Sequence, residues 1–220
     1  MDKTPYLLKI LEGGELFFVS RPQKFGKSTF LQMTEAFFQG KKEYFGNTAL
    51  RNVGNAAFCS DRHPEERGDH GKWIEYPVIY LNFTHLKHFT LLKKFRKGYS
   101  DRIKSIAKMY RTKLPNYEDP QLSSLILALR TRFHLPVVLL IDEYDAPIRQ
   151  ALYSRRERQP KYAKQLMEFF EEFFDSIKNC IMAKSVRLVL VTGVSRYRLT
   201  SLETFIDLTY DRKFATAFGF

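Results

Sequence analysis

Apolar residues in this chain recur in two spacings. In the first they stand in short unbroken runs: Leu16-Phe17-Phe18-Val19, Val78-Ile79-Tyr80-Leu81, Val137-Val138-Leu139-Leu140-Ile141 and Leu188-Val189-Leu190-Val191. These runs predict strands over 15–20, 77–83, 137–142 and 186–191. A wholly apolar run such as 137–141 predicts a strand covered on both faces, as in a parallel sheet. In the second spacing apolar residues return every three or four positions, which predicts helices. Leu7, Leu8 and Leu11 mark a short one over 5–12, stopped by Gly13-Gly14. Phe30, Leu31, Thr34, Phe37 and Phe38 mark another, closed by Gly40 with Lys41 and Lys42 at its negative end. Leu91, Leu92, Phe95, Tyr99, Ile103, Ile106 and Tyr110 line a helical stretch within 87–113, which Gly98 either kinks or divides. Asp119-Pro120 predicts a further helix start, with Leu122, Leu125, Ile126, Leu129 and Phe133 as its buried stripe. The most regular pattern is Tyr162, Leu166, Phe169, Phe170, Phe173, Phe174, Ile177 and Ile181, with Glu168, Glu171, Glu172 and Asp175 opposite. An aromatic stripe at that spacing is core rather than a ligand box. Strands alternating with helices predict an α/β fold. Its mostly parallel sheet is joined by right-handed crossovers and flanked by helices on both faces.

Three stretches fall outside this pattern. Residues 46–72 are polar, punctuated by Gly46-Asn47, Gly54-Asn55, Gly68-Asp69 and Gly71, and predict a loop insertion. Cys59, His63 and His70 lie there, but without a fourth ligand at suitable spacing they read as loop residues rather than a zinc site. Beyond Arg196, the residues Leu199, Leu202, Phe205, Ile206 and Leu208 predict a helix or an irregular segment. The last residues, Phe214 to Phe220, are aromatic and apolar; they suggest a truncated end, or a module whose next domain is missing. At 220 residues, one domain over 1–220 is the natural count.

The chemistry gathers where predicted strands end. The run at 17–19 leads into Ser20-Arg21-Pro22-Gln23-Lys24-Phe25-Gly26-Lys27-Ser28-Thr29, and a helix follows at once. A loop in that context wraps phosphates: backbone N–H groups point inward, a lysine such as Lys27 reaches the β/γ-phosphates, and a hydroxyl such as Ser28 holds Mg²⁺. The opening of the helix adds partial positive charge. The full pattern, G-x-x-x-x-G-K-[ST], has a first glycine where this chain has Arg21. Asp142 and Glu143 follow the run at 137–141, at the end of a strand where open α/β sheets bind ligands. Asp142 suits the coordination sphere of Mg²⁺ and Glu143 suits a water-polarising base, although such a pair also occurs at solvated helix starts. Thr192 and Arg196, after the run at 188–191, sit where a side chain can sense a γ-phosphate or stabilise transition-state charge; an ordinary strand exit has the same spacing.

Six segments occur in order: Asp2-Lys3-Thr4, Ser20 to Ser28, Pro77 to Phe83, Leu140-Ile141-Asp142-Glu143-Tyr144-Asp145, Thr192 to Arg196, and Phe214 to Phe220. Together they resemble the AAA-ATPase-like family of P-loop proteins, which is often joined to a PD-(D/E)XK nuclease-like domain. The resemblance runs through nearly the whole chain. In that family Arg-Pro is the usual opening of the phosphate loop, so Arg21 fits the family while departing from the general motif. The resemblance implies a P-loop NTPase fold, ATP binding and, less directly, ATP hydrolysis. No nuclease-like domain follows in this sequence, so nuclease activity is not expected of it.

Charge enlarges the picture. The chain carries 36 Lys and Arg against 24 Asp and Glu, a net +12. Ten bases and one acid fall within 87–113. A second cluster, Arg149, Arg155, Arg156, Arg158, Lys161 and Lys164, falls within 149–164 and reads as a polyanion-facing segment or a surface loop. Nucleic acid or another polyanion is a candidate partner for both stretches, and a solvated helix face is the plainer account of the first. Two cysteines and a start without a signal-peptide pattern predict an intracellular, cytoplasmic setting rather than secretion. No apolar run is long enough to span a membrane.

Two functions are therefore expected. One is a Mg²⁺-dependent ATPase acting as a switch or motor. In it Gly26, Lys27, Ser28 and Thr29 hold phosphate and metal, Asp142 organises Mg²⁺ and Glu143 is the base. Arg21, Thr192 and Arg196 are secondary phosphate contacts or sensors. The other is a basic module that docks nucleic acid or an acidic protein without hydrolysis.

Overall fold

A computed structural model describes residues 4–22, 24–46, 48, 50–51, 73–154 and 158–209. Its strands are β1 (Leu16–Ser20), β2 (Val78–Asn82), β3 (Val137–Asp142), β4 (Val186–Gly193) and β5 (Ile206–Asp207). All neighbours run parallel, in the order β2-β3-β4-β1-β5. The register sets Asn82 beside Asp142, Ile141 beside Val191 and Ser20 beside Gly193. The C-terminal ends of four strands thus reach one edge together, and a parallel sheet concentrates its ligand chemistry there.

Alternation along the strands divides the core in two. Phe17, Val19, Val138, Leu140, Leu188 and Leu190 face α1 (Thr4–Gly13) and α2 (Lys27–Phe38). Phe18, Ile79, Leu81, Leu139, Ile141, Val189 and Val191 face the opposite layer. That layer contains α3 (Leu92–Met109), α4 (Leu122–Phe133), α5 (Ala146–Tyr153) and α6 (Pro160–Met182). A period of two puts alternate residues on opposite faces, so β3 and β4 are buried along their whole length and largely apolar, with Asp142, Arg187 and Thr192 as buried polar exceptions. The α6 stripe is core as expected: Phe169, Phe170, Phe173 and Phe174 are buried and meet Phe83, Phe95 and Tyr144 edge to face.

The expected α/β architecture is present, with differences that have physical causes. Gly98 does not divide α3, which is continuous; a Cβ there would stand 2.7 Å from the Phe89 ring and 2.9 Å from Leu86. The glycine lets the preceding turn lie against the helix. The helix after Asp119-Pro120 begins later, with Gln121 at its N-cap, and Phe133 at its end is exposed while its ring meets Tyr110. The segment after Arg196 forms a 3-10 turn at Thr200–Leu202 and then β5, where Leu208 N donates to the Phe18 carbonyl and extends the sheet beyond β1. Residues 52–72, with Cys59, His63 and His70, and the closing segment Phe214 to Phe220 lie outside the described residues.

Candidate active site

β1 delivers the chain to the sheet edge at Ser20. Arg21 N donates to the Gly193 carbonyl at 3.1 Å, and the Ser20 hydroxyl donates to the Val194 carbonyl at 2.8 Å, so the loop starts tied to the tip of β4. Gly26 has φ +75 and forms the N-cap of α2, a left-handed turn that glycine adopts without strain. No side chain caps that end, so the first-turn amides of α2 keep their hydrogens for an anion. Lys27 opens the helix and is buried. Its ammonium donates to the carbonyls of Arg21 (2.7 Å) and Pro22 (2.9 Å) and pairs with Glu143 Oε1 at 3.1 Å. All three hydrogens of the ammonium are thereby used.

Asp142, the last residue of β3, is fully buried and is held by four side chains. Oδ2 accepts from Ser28 Oγ (2.7 Å), Tyr80 OH (3.0 Å) and Asn82 Nδ2 (3.2 Å), while Oδ1 accepts from Thr192 Oγ1 at 2.6 Å. These donors come from α2, β2 and β4, and every one is neutral. A hydroxyl and a carboxylate 2.7 Å apart at the mouth of a phosphate loop could hold a Mg²⁺ ion whose remaining ligands are phosphate oxygens and water. Among the described residues no three His, Cys, Asp or Glu side chains cluster as a metal cage, and Mg²⁺ bound through a substrate does not need one.

Immediately after Asp142 the chain turns sharply. Glu143 has φ +51, a left-handed conformation costing about 1–3 kcal/mol for a non-glycine residue. Tyr144 secures the turn: its N–H donates to the Thr192 carbonyl, and its buried hydroxyl donates to Ser195 O and accepts from Tyr197 N. Asp145 accepts backbone N–H bonds from Val194 and Ser195. Burial pushes its carboxyl above the usual range, against the lowering pull of Arg149 and those N–H groups. Arg149, one turn into α5, donates from Nε to Asp145 Oδ2 (2.8 Å) and from Nη2 to Glu143 Oε2 (2.6 Å). Both oxygens of Glu143 are therefore held by cations, Lys27 on one side and Arg149 on the other.

These groups line a cavity of about 650 Å³. Gly26, Lys27, Ser28 and Thr29 form one wall, and Asp142 and Glu143 form its floor. Lys24, Lys87 and Arg149 add three more cations. Six of the residues expected from the sequence thus meet at one cavity. The other three do not line it. Thr192 is buried and orients Asp142; Arg21 supplies a carbonyl to Lys27; Arg196 pairs with Asp207 at 2.6 Å, donates to the Leu202 carbonyl and lies over the Phe18 ring, bracing β5. Tyr80, Asn82, Lys87, Asp145 and Arg149 had no assigned place in the site. For Arg149 the available signal was Pro147 near a helix start, which sets a residue one turn later back over the strand tip.

Residues 1–203 match the family described as predicted AAA-ATPase. The chain belongs to this family. A protein of Azotobacter chroococcum mcd 1, described as an uncharacterized protein in the vnfD 5' region, is 25% identical over the whole chain. The chain spans 39% of that relative's length. No solved structure matches the chain. Membership of the predicted AAA-ATPase family supports nucleotide binding in general, and the cavity's donor set suits a polyanion: four cations, uncapped helix amides and a hydroxyl–carboxylate pair. Among the described residues no helix is long and apolar enough to cross a membrane.

Proposed function

We propose that this chain binds ATP with Mg²⁺ at the sheet-edge cavity and hydrolyses it. The observation that carries this reading is the convergence of Lys27, the Ser28–Asp142 pair and Glu143 on one cavity at the end of β1 and β3. Phosphates would take the first-turn amides of α2 and the ammonium of Lys27, which exchanges neutral carbonyl partners for charged oxygens. Ser28 and Asp142 would hold a Mg²⁺ ion, which would supply neutralising charge to the phosphates. Thr192, Tyr80 and Asn82 hold the Asp142 carboxylate in position, and Glu143 orients the attacking water. The choice of adenine rests on the family alone.

Titration calorimetry with ATP, with and without Mg²⁺, tests the site. Lys27→Ala should abolish measurable binding, and unchanged affinity would remove the phosphate-loop assignment. Glu143→Gln should retain binding and lower turnover by about 10²-fold or more, the usual worth of a positioned base. Equal turnover would take Glu143 out of the mechanism.

A second reading rests on α3. Its Lys93, Lys97 and Lys108 share one exposed stripe and form no ion pair among the described residues. Such a stripe could dock nucleic acid or another polyanion without ATP. Binding to a DNA duplex that falls steeply with salt and ignores ATP would be its signature.

A further inference from the structure

Arg149 is a cavity cation anchored by a buried carboxylate on its inner edge. Asp145 is fully buried and immobilised by the N–H groups of Val194 and Ser195. It grips Arg149 through Nε at 2.8 Å. The outer edge of the guanidinium carries Nη2, bonded to Glu143, and Nη1, which has no partner among the described residues. Anchoring a guanidinium by Nε leaves its two Nη groups as a planar fork suited to phosphate oxygens. Lys87 and, from the phosphate loop, Lys27 line the same cavity. The two groups that hold Glu143, Lys27 and Arg149, are thus both cations that a triphosphate would recruit.

Resting on the ATP reading above, we infer that Arg149 is a γ-phosphate-sensing arginine supplied by the chain itself. Its Nη groups exchange the Glu143 carboxylate for γ-phosphate oxygens while Nε stays on Asp145. The exchange frees Glu143 Oε2 to face water only when a third phosphate is present. A diphosphate leaves the Arg149–Glu143 pair in place. No covalent bond in the protein is made or broken; the exchange couples recognition of the γ-phosphate to exposure of the carboxylate.

The test compares wild type, Arg149→Ala and Arg149→Lys as full chains, each checked for folding by circular dichroism. Binding of Mg²⁺-ADP and of Mg²⁺-AMP-PNP, whose β–γ bridge resists cleavage, is measured by calorimetry, and hydrolysis by single-turnover assay. Arg149→Ala should leave ADP affinity within about twofold and weaken AMP-PNP by about ten- to a hundredfold, the worth of hydrogen bonds between charged groups. Hydrolysis should fall by about 10³-fold or more, as for an arginine that contacts the transferring phosphoryl group. Arg149→Lys should recover part of the AMP-PNP affinity. An unchanged ratio of triphosphate to diphosphate affinity would overturn the inference, whether both nucleotides bind normally or both weaken alike. Undiminished hydrolysis in Arg149→Ala would also overturn it. If folded wild type binds neither nucleotide, the ATP reading falls and this inference falls with it; the other failures strike Arg149 alone.

Discussion

Two groups of positive charge in this protein differ both in how they are spread along the chain and in what surrounds them. On α3, seven bases and one acid occupy 18 residues, and the stripe of Lys93, Lys97 and Lys108 points to solvent. At the sheet edge Lys24, Lys27, Lys87 and Arg149 come from three separate segments and face one cavity with Asp142 and Glu143. The first group is dense along the chain and weakly ion-paired among the described residues: Arg96 meets Glu172 at 3.5 Å, with both side chains largely exposed, while Arg102 and Lys104 donate to backbone carbonyls. The second is sparse along the chain and tightly engaged, with Lys27 and Arg149 both on Glu143 at 3.1 and 2.6 Å. Charge density along a sequence therefore says little about where charge acts. Water screens the α3 stripe, whereas the low-dielectric cavity strengthens each interaction in the second group.

The largest way to break the comparison is Asp142→Asn. An amide places hydrogens against neighbours that already donate, in a fully buried position. Stability should fall by about 2–3 kcal/mol in urea denaturation, the cost of leaving buried hydrogen-bonding groups unpaired. Any gain in ATP affinity from Mg²⁺ should vanish in the same variant. Gly193→Ala tests the site without changing a charge. Its new Cβ would stand 2.9 Å from Asp145 Oδ1 and 2.9 Å from the Tyr144 ring. A loss of about 1–3 kcal/mol is expected, with weaker nucleotide binding, because overpacking displaces the anchor of Arg149. If ATP affinity were untouched in that variant, the tip of β4 would not help to set the cavity. The smallest effect on the cavity should come from the most charge removed. Neutralising Lys93, Lys97 and Lys108 to Gln should change stability by no more than about 0.5 kcal/mol per site, as at other exposed positions. ATP affinity should stay within about twofold, because exposed charges are screened over roughly 10 Å. A larger loss would show that the stripe belongs electrostatically to the site, and loss of salt-sensitive DNA binding would give it a separate role.

The two groups also differ in how far they could be read beforehand. The phosphate loop is contiguous: Gly26 meets a left-handed turn, Lys27 and Ser28 open a helix, and all three act through their neighbours in sequence. The strands were legible for the same reason, since a parallel strand covered on both faces reads as a near-continuous apolar run. Arg149 was not. It stood among five further bases of a polar stretch, three of which, Arg158, Lys161 and Lys164, are exposed. Only the formation of α5 directly after the Glu143 turn swings Arg149 back over the strand tip. Arg196, by contrast, stood at the expected strand exit and was drawn away by Asp207 on a fifth strand that the apolar pattern did not reveal.

By itself the sequence determined the alternation of strands and helices, the two-faced core, and the identity of the loop and carboxylates at the sheet edge. These follow from local rules: side-chain period, backbone freedom at glycine, and donors that act within a few residues. Only the tertiary structure decided which groups meet. Asp142 takes its partners from residues 114, 62, 60 and 50 positions away, and Glu143 is shared between a helix before it and a helix after it. Such pairings depend on strand order and helix orientation, which are set by burying both faces of the sheet at once and are encoded in no single stretch of the chain.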